Sequence, residues 1–226
     1  MTNNAHLFGK ACSHLVNYTA ESCQLHPLAL ENYLKLQRAL AVEGVDLKIA
    51  SAFRSYDRQQ RIWNEKVAGT RPVLDHSGKP LDPKSLTEEA LVYAILRWSA
   101  LPGASRHHWG TDIDVYDATA IPANYRVQLT SEEYGHKGPF ARLNDCLVNR
   151  EAQGLSFGFA RVYAEDRGGV APEPWHLSYL PVAQEYQGQL SYDQLEACIN
   201  SSEIELKRVI LAHLPDIYSR FVEVSQ

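Results

Sequence analysis

The 226-residue sequence predicts an α+β fold, in which a small antiparallel sheet is flanked by helices and followed by a helical C-terminal extension. Three observations carry this expectation. Segments of helical periodicity precede, interrupt and follow a few short strand-like runs, rather than alternating with them as a doubly wound sheet requires. Hydrophobic residues make up 45% and charged residues 22% of the chain, enough for a sizeable core. No internal repeat or low-complexity tract suggests an array or a disordered tail.

The elements follow in chain order. Pro27 opens a run to Glu43 with Leu30, Tyr33, Leu34, Leu36 and Leu40 on one helical face, and Gly44 ends it. Val45 to Ala50 alternates as a half-buried strand. A second helical pattern runs from Asp57 to Val67. Gly69 to Ser85, with Pro72, Gly78, Pro80 and Pro83, reads as a loop over a site. Thr87 is an N-cap followed by Glu88 and Glu89 in the first turn of a helix to residue 99. Leu101-Pro102-Gly103 breaks that helix, and Ser105 to Asp114 leads onto a short strand ending near Tyr116. Residues 137 to 152 are helical, with Gly154 as the stop. Phe157 to Tyr163 and Trp175 to Tyr179 are extended, separated by the Gly168-Gly169 turn. From Ser191 the chain is helical again, with breaks near Asn200 and Pro215.

Composition narrows the function. With 22 basic against 27 acidic side chains and no basic run, the chain offers phosphate backbones little, and nucleic acid is not an expected partner. No stretch of about 18 apolar residues provides a membrane span. The first residues lack the basic opening and apolar core of a secretory signal, so a cytoplasmic location is expected. Cys12, Cys23, Cys146 and Cys198 form no C-x-x-C pair and are expected to be reduced.

Histidines and carboxylates cluster in two segments, Ser105-Arg106-His107-His108-Trp109-Gly110-Thr111-Asp112-Ile113-Asp114 and Glu173-Pro174-Trp175-His176. Hydrolytic zinc is held by three His or Asp/Glu ligands with a fourth position left open, and His107, Asp114 and His176 supply such a set. A carboxylate that is not a ligand serves as proton acceptor and donor, and Glu173 is the candidate. Strict strand alternation would put Glu173 and His176 on opposite faces, so an irregularity at Pro174 is required. Adjacent His107 and His108 leave the choice of ligand open at this point.

These motifs resemble the VanY-like D-alanyl-D-alanine carboxypeptidases, metallopeptidases that share a fold with lysostaphin-type enzymes and the hedgehog domain. The family pattern S-x-H-x-x-G-x-A-x-D falls on Ser105, His107, Gly110 and Asp114, with Asp112 where the family often has Ala. E-x-W-H falls on Glu173, Trp175 and His176. The upstream S-G-Y-R-S followed by Gln is matched by Ser51-Ala52-Phe53-Arg54-Ser55 and Gln59, with Ala52 for Gly. The resemblance spans roughly residues 26 to 188. It implies a sheet that carries one zinc ion, selects His107 over His108, and gives Arg54 a role in holding substrate or stabilising an oxyanion. Ser55, Gln59 and Ser105 become candidates for substrate contacts. The implied reaction is release of a terminal D-Ala from peptidoglycan stem peptides by a D,D- or L,D-carboxypeptidase, with recycled tetrapeptides favoured by the expected location. An endopeptidase and a zinc-containing peptide-binding protein without catalysis are the other readings. The chain is expected to divide into a zinc carboxypeptidase domain, 1–188, and a helical extension, 189–226, packed on it.

Overall fold

The computed structural model describes residues 4–223. A short hairpin, β1 (Val16–Tyr18) and β2 (Cys23–Leu25), leads into α1 (Pro27–Val42), where proline stands in the first turn and His26 Nδ1 accepts the Leu28 amide. Strand β3 (Leu47–Ser51) follows, then α2 (Tyr56–Val67), N-capped by the Ser55 hydroxyl. The segment read as loop from Gly69 to Ser85 holds a two-stranded hairpin, β4 (Val73–Leu74) and β5 (Pro80–Leu81), and a 3-10 turn at Pro83–Ser85. Asp75 closes the hairpin by accepting the Ser77 and Lys79 amides, a local turn chemistry that outweighs the prolines. Helix α3 (Glu88–Leu96) is capped by Thr87, as its sequence implies.

Strand β6 (Asp112–Asp117) precedes the short α4 (Ser131–Tyr134) and α5 (Ala141–Ala152). Helix α5 starts four residues later than its periodicity suggests, because Gly138 is pressed against the Glu132 and Glu133 carbonyls in a tight turn. The extended run expected over Phe157 to Tyr163 is paired only at β7 (Phe159–Ala160); Glu151 instead takes the backbone and side chain of Arg161. Strand β8 (His176–Tyr179) runs directly into α6 (Leu180–Gln189), which no sequence pattern announced. Helices α7 (Tyr192–Asn200), α8 (Lys207–Ala212) and α9 (Leu214–Ile217) end in a π turn at Tyr218–Val222. The breaks fall at Asn200 and beside Pro215, where they were expected.

The fold is α+β. Its main sheet is antiparallel with strand order β3-β6-β8-β7, so that β6 and β8 pair although about sixty residues separate them. The register sets Asp114 opposite His176 and Asp112 opposite Ser178. Alternation along β6 and β8 then sends Ile113, Val115, Leu177 and Tyr179 into a core with α1 and α5, and gathers the polar side chains on the other face. A second core joins Leu7, Trp63, Val92, Ile95 and Trp109 to Leu195, Ile199, Ile210, Leu214 and Ile217 of the C-terminal helices. All four cysteines are free. Among the described residues no helix is long and apolar enough to cross a membrane.

Candidate metal centre and active site

Three elements deliver one cluster. His107 lies on a 3-10 turn, Arg106–Trp109, which Gly110 ends at φ 70°, a left-handed conformation suited to glycine. Asp114 and His176 are cross-strand partners on β6 and β8. Ligand atoms of His107, Asp114 and His176 all lie within 4.8 Å of one another, and all three residues are buried. His107 Nε2 is 3.4 Å from Asp114 Oδ2, and His176 Nδ1 is 3.1 Å from Asp114 Oδ1.

The hydrogen-bond network assigns the tautomers. His107 Nδ1 lies 2.9 Å from the Ala52 carbonyl, which only accepts, so Nδ1 carries the proton and the Nε2 lone pair faces Asp114. His176 Nε2 lies 3.0 Å from Asp112 Oδ1, which leaves Nδ1 facing Asp114. Two imidazole nitrogens and a carboxylate therefore converge on one point. Tetrahedral ligands at zinc distances stand about 3.3 Å apart, which matches the two separations from Asp114, so the donor set fits a zinc ion.

His108 is placed differently. Its Nδ1 donates to the Arg54 carbonyl at 2.6 Å and its Nε2 accepts the Gly103 amide at 3.1 Å, so neither nitrogen is left for a ligand. Burial pushes its pKa down to about 3, and it is a neutral clamp between two loops.

Charge is concentrated here. Burial opposes ionisation of Asp114, but His107 and His176 override it and hold the carboxyl far below the usual range. Burial likewise opposes protonation of His176, but Asp112 and Asp114 on either side push its pKa up to about 10. Burial lowers that of His107, keeping it a neutral lone-pair donor. A divalent cation bound between them would displace the proton of His176 and take its place as partner of Asp114.

The irregularity required at Pro174 is a turn. The His176 amide donates to the Glu173 carbonyl at 3.1 Å, so β8 begins only at His176 and Glu173 stands outside the strand's alternation. Glu173 Oε2 returns to 3.7 Å from His176 Nδ1, with its side chain 15% exposed, accessible and yet largely desolvated. Burial raises its pKa to about 7, with His176 and Asp114 acting in opposite directions.

Arg54 follows β3 and is tied to the 3-10 turn Arg106–Trp109, its amide donating to the His107 carbonyl at 3.1 Å. Its Nη1 donates to Gln59 Oε1 at 2.9 Å and its Nη2 to Ser51 Oγ at 3.1 Å, while Nε is buried without a protein partner. Gln59 is fully buried, and its Nε2 donates to the Ala100 carbonyl at 2.7 Å, so it fixes the guanidinium from behind. Ser55 caps α2 by accepting the Arg58 amide, and buried Ser105 holds the 3-10 turn through its carbonyl, which accepts the His108 amide. A cleft of about 240 Å³ lies along Ser51, Ala52 and Phe53, with Gln24 and Arg58 among its walls.

The sequence singled out Asp112 without giving it a partner, and gave Arg106 and Tyr163 no place in the site. Asp112 is fully buried and binds His176; Arg106 binds Asp112; the Tyr163 ring lies 4.9 Å from that of His176. For Asp112 a signal existed, because residues i and i+2 of a strand share a face. For Arg106 and Tyr163 there was none. Trp109 and Trp175 are buried packing residues, Trp109 Nε1 donating to the Leu7 carbonyl.

The profile of the VanY family, D-alanyl-D-alanine carboxypeptidase, matches residues 22–182, well over half of the chain. The chain belongs to this family. It is similar to an uncharacterized protein of Haemophilus influenzae, 44% identical over 98 residues that cover 42% of this chain and 67% of that protein. A D-alanyl-D-alanine carboxypeptidase of Enterococcus faecalis is 26% identical over 147 residues, 64% of this chain and 44% of that protein. The bifunctional D-Ala-D-Ala dipeptidase and carboxypeptidase VanXYC of Enterococcus gallinarum is 25% identical over 174 residues, 74% of this chain and 72% of that protein. Among solved structures, VanYB in complex with D-alanine-D-alanine aligns over 84% of this chain and 89% of its own, with 24% identity and a TM-score of 0.49.

Proposed function

We propose that this protein is a zinc-dependent carboxypeptidase that releases the terminal D-Ala of peptidoglycan stem peptides, with His107, Asp114 and His176 as the ligands of one zinc ion. Membership of a D-Ala-D-Ala carboxypeptidase family and the two enterococcal relatives support the substrate class. The observation that carries the reading is Glu173: an acidic group outside the ligand set, partly open and 3.7 Å from a ligand nitrogen. A structural metal site closes its coordination sphere and has no use for such a group.

Zinc held by His107, Asp114 and His176 would supply Lewis-acid chemistry for the scissile carbonyl and for water. Glu173 Oε2 takes the proton of the attacking water and returns it to the amine nitrogen of the departing D-alanine. Arg54, held by Ser51 and Gln59, keeps its Nε for the substrate carboxylate or the developing oxyanion. Ser55 and Ser105, at the entrances of α2 and of the 3-10 turn, set the two loops between which the peptide end is received, and Gln59 contributes through Arg54.

The test is mass spectrometry of products after the zinc-loaded protein is incubated separately with a tetrapeptide muropeptide ending in D-Ala and a pentapeptide ending in D-Ala-D-Ala. Loss of one alanine from the tetrapeptide defines an L,D-carboxypeptidase suited to recycling in the cytoplasm. Loss from the pentapeptide alone defines a D,D-carboxypeptidase. Cleavage of neither, with zinc bound, would overturn the proposal in favour of an endopeptidase or a binding protein.

A further inference from the structure

The ionised pair Arg106–Asp112 is buried to 5% and 0% exposure directly behind the metal cluster. Both oxygens of Asp112 are used. Oδ1 accepts Arg106 Nε at 2.8 Å and His176 Nε2 at 3.0 Å, and Oδ2 accepts the Thr111 hydroxyl at 2.6 Å. Arg106 spends its remaining donors outward, with Nη2 to Ser178 Oγ at 2.6 Å and Nη1 to Gln187 Oε1 at 3.1 Å, and its guanidinium covers the Trp109 ring. Gln187 Nε2 in turn donates to the Val222 carbonyl at 3.1 Å, in the last turn of the C-terminal segment.

A buried ion pair is a poor stabiliser, since an apolar pair of similar volume does as well or better. Its position here has another consequence. The ring nitrogen of a metal-bound histidine that faces away from the ion needs an acceptor to fix tautomer and ring orientation. Asp112 is that acceptor for His176, and it is itself held by Arg106.

We infer that Arg106 and Asp112 form a positioning relay, running His176–Asp112–Arg106–Gln187–Val222, that sets His176 for metal binding and ties the metal centre to the C-terminal segment. The inference rests on the metal-centre reading above. It assigns the C-terminal helices a function: they hold the outer end of the relay and so raise metal affinity from beyond residue 182, where the match to the family ends.

The experiment is zinc titration against a chromophoric chelator, with the absorption spectrum of the Co2+-substituted protein as the second readout. The variants are Arg106→Met/Asp112→Ala, Asp112→Asn and Gln187→Leu. The double variant removes both charges together and leaves no buried ion unpaired. It is expected to fold and to bind zinc about 10- to 100-fold more weakly, with an altered cobalt spectrum. Asp112→Asn keeps an oxygen for His176 Nε2–H and is expected to recover part of that loss, which a purely structural role does not predict. Gln187→Leu touches only the outer link and is expected to weaken zinc binding roughly 2- to 30-fold. A folded double variant with wild-type zinc affinity and an unchanged cobalt spectrum overturns the relay. Should the double variant not fold, wild-type zinc affinity in both Asp112→Asn and Gln187→Leu overturns it. Failure of the wild-type protein to bind zinc overturns the metal-centre reading instead.

Discussion

At the scale of single residues, the proposed function separates three groups that would hold a metal from one that would move a proton. Glu173→Ala is expected to retain near-stoichiometric zinc and to lose turnover by about 10²- to 10⁴-fold, whereas His176→Ala is expected to lose the metal. Metal analysis alongside peptide hydrolysis checks both, and full activity of Glu173→Ala would remove Glu173 from the mechanism. Away from the site, burial pulls the Lys66 ammonium down to about 8, although it donates to the Pro72 carbonyl at 3.2 Å. Because the folded pKa lies below the unfolded one, the unfolded chain binds more protons between pH 8 and about 10.5, and the stability contribution of Lys66 rises with pH across that window. Lys66→Met should therefore stabilise the protein at pH 7 by about 2 kcal/mol, the cost of the buried charge less one hydrogen bond. In urea denaturation this advantage should shrink as pH rises from 8 to 10.5; a pH-independent difference would contradict the argument.

At the scale of elements, the 3-10 turn Arg106–Trp109 is the part that brings the site together. Its backbone holds Arg54 through the His107 carbonyl, its two histidines hold the loop after β3 through the Ala52 and Arg54 carbonyls, and Gly110 turns the chain into β6. A Cβ at Gly110 would collide with Leu15 Cδ2 and stand 3.1 Å from the His26 backbone nitrogen, at a φ that disfavours side chains. Gly110→Ala is expected to cost about 2 kcal/mol or more in chemical denaturation and to weaken zinc binding, since His107 and Asp114 lie on either side. Unchanged stability and affinity would mean that the turn adapts without moving its ligands. The second local device is the Glu173–His176 turn, which lifts Glu173 out of the pleat and lets two residues three apart face one point.

At the scale of the whole molecule, the two cores answer to different parts of the chain. The core beneath the sheet is built from α1, β3, β6, β8 and α5, while the other is completed only by residues after Gln189. Leu190, Leu195, Ile199, Ile204, Ile210, Leu214 and Ile217 cover Trp63 and Ile95, and Trp63 Nε1 and Gln60 Nε2 of α2 donate to the Glu205 and Glu203 carbonyls. Gly169 lies against the Arg220 carbonyl so closely that no Cβ fits, and Arg220 donates to the Gly168 carbonyl. A chain ending at Gln189 is therefore expected to lose cooperative unfolding and zinc affinity together, by thermal melting followed with circular dichroism and by chelator competition. A cooperative transition in that shortened chain would show the extension to be dispensable for the fold.

Helices opened by Pro27 and Thr87, the α+β class, and the residue types of the metal cluster were legible in the sequence, because caps, periodicity and ligand chemistry are local properties of a few neighbouring side chains. The need for a bend at Pro174 to bring Glu173 beside His176 was legible too. What only the tertiary structure decided is which side chains meet across a long separation. The pairing of β6 with β8 sets Asp114 beside His176, and the same register brings Asp112 to the far nitrogen of His176. Arg106 carries no periodic signal, and α6 and the short reach of β7 follow from contacts with distant segments rather than from their own residues. Spacing along a chain specifies the backbone's local choices, but register and burial belong to the packed molecule, where a one-residue slip of β6 against β8 would part Asp114 from His176.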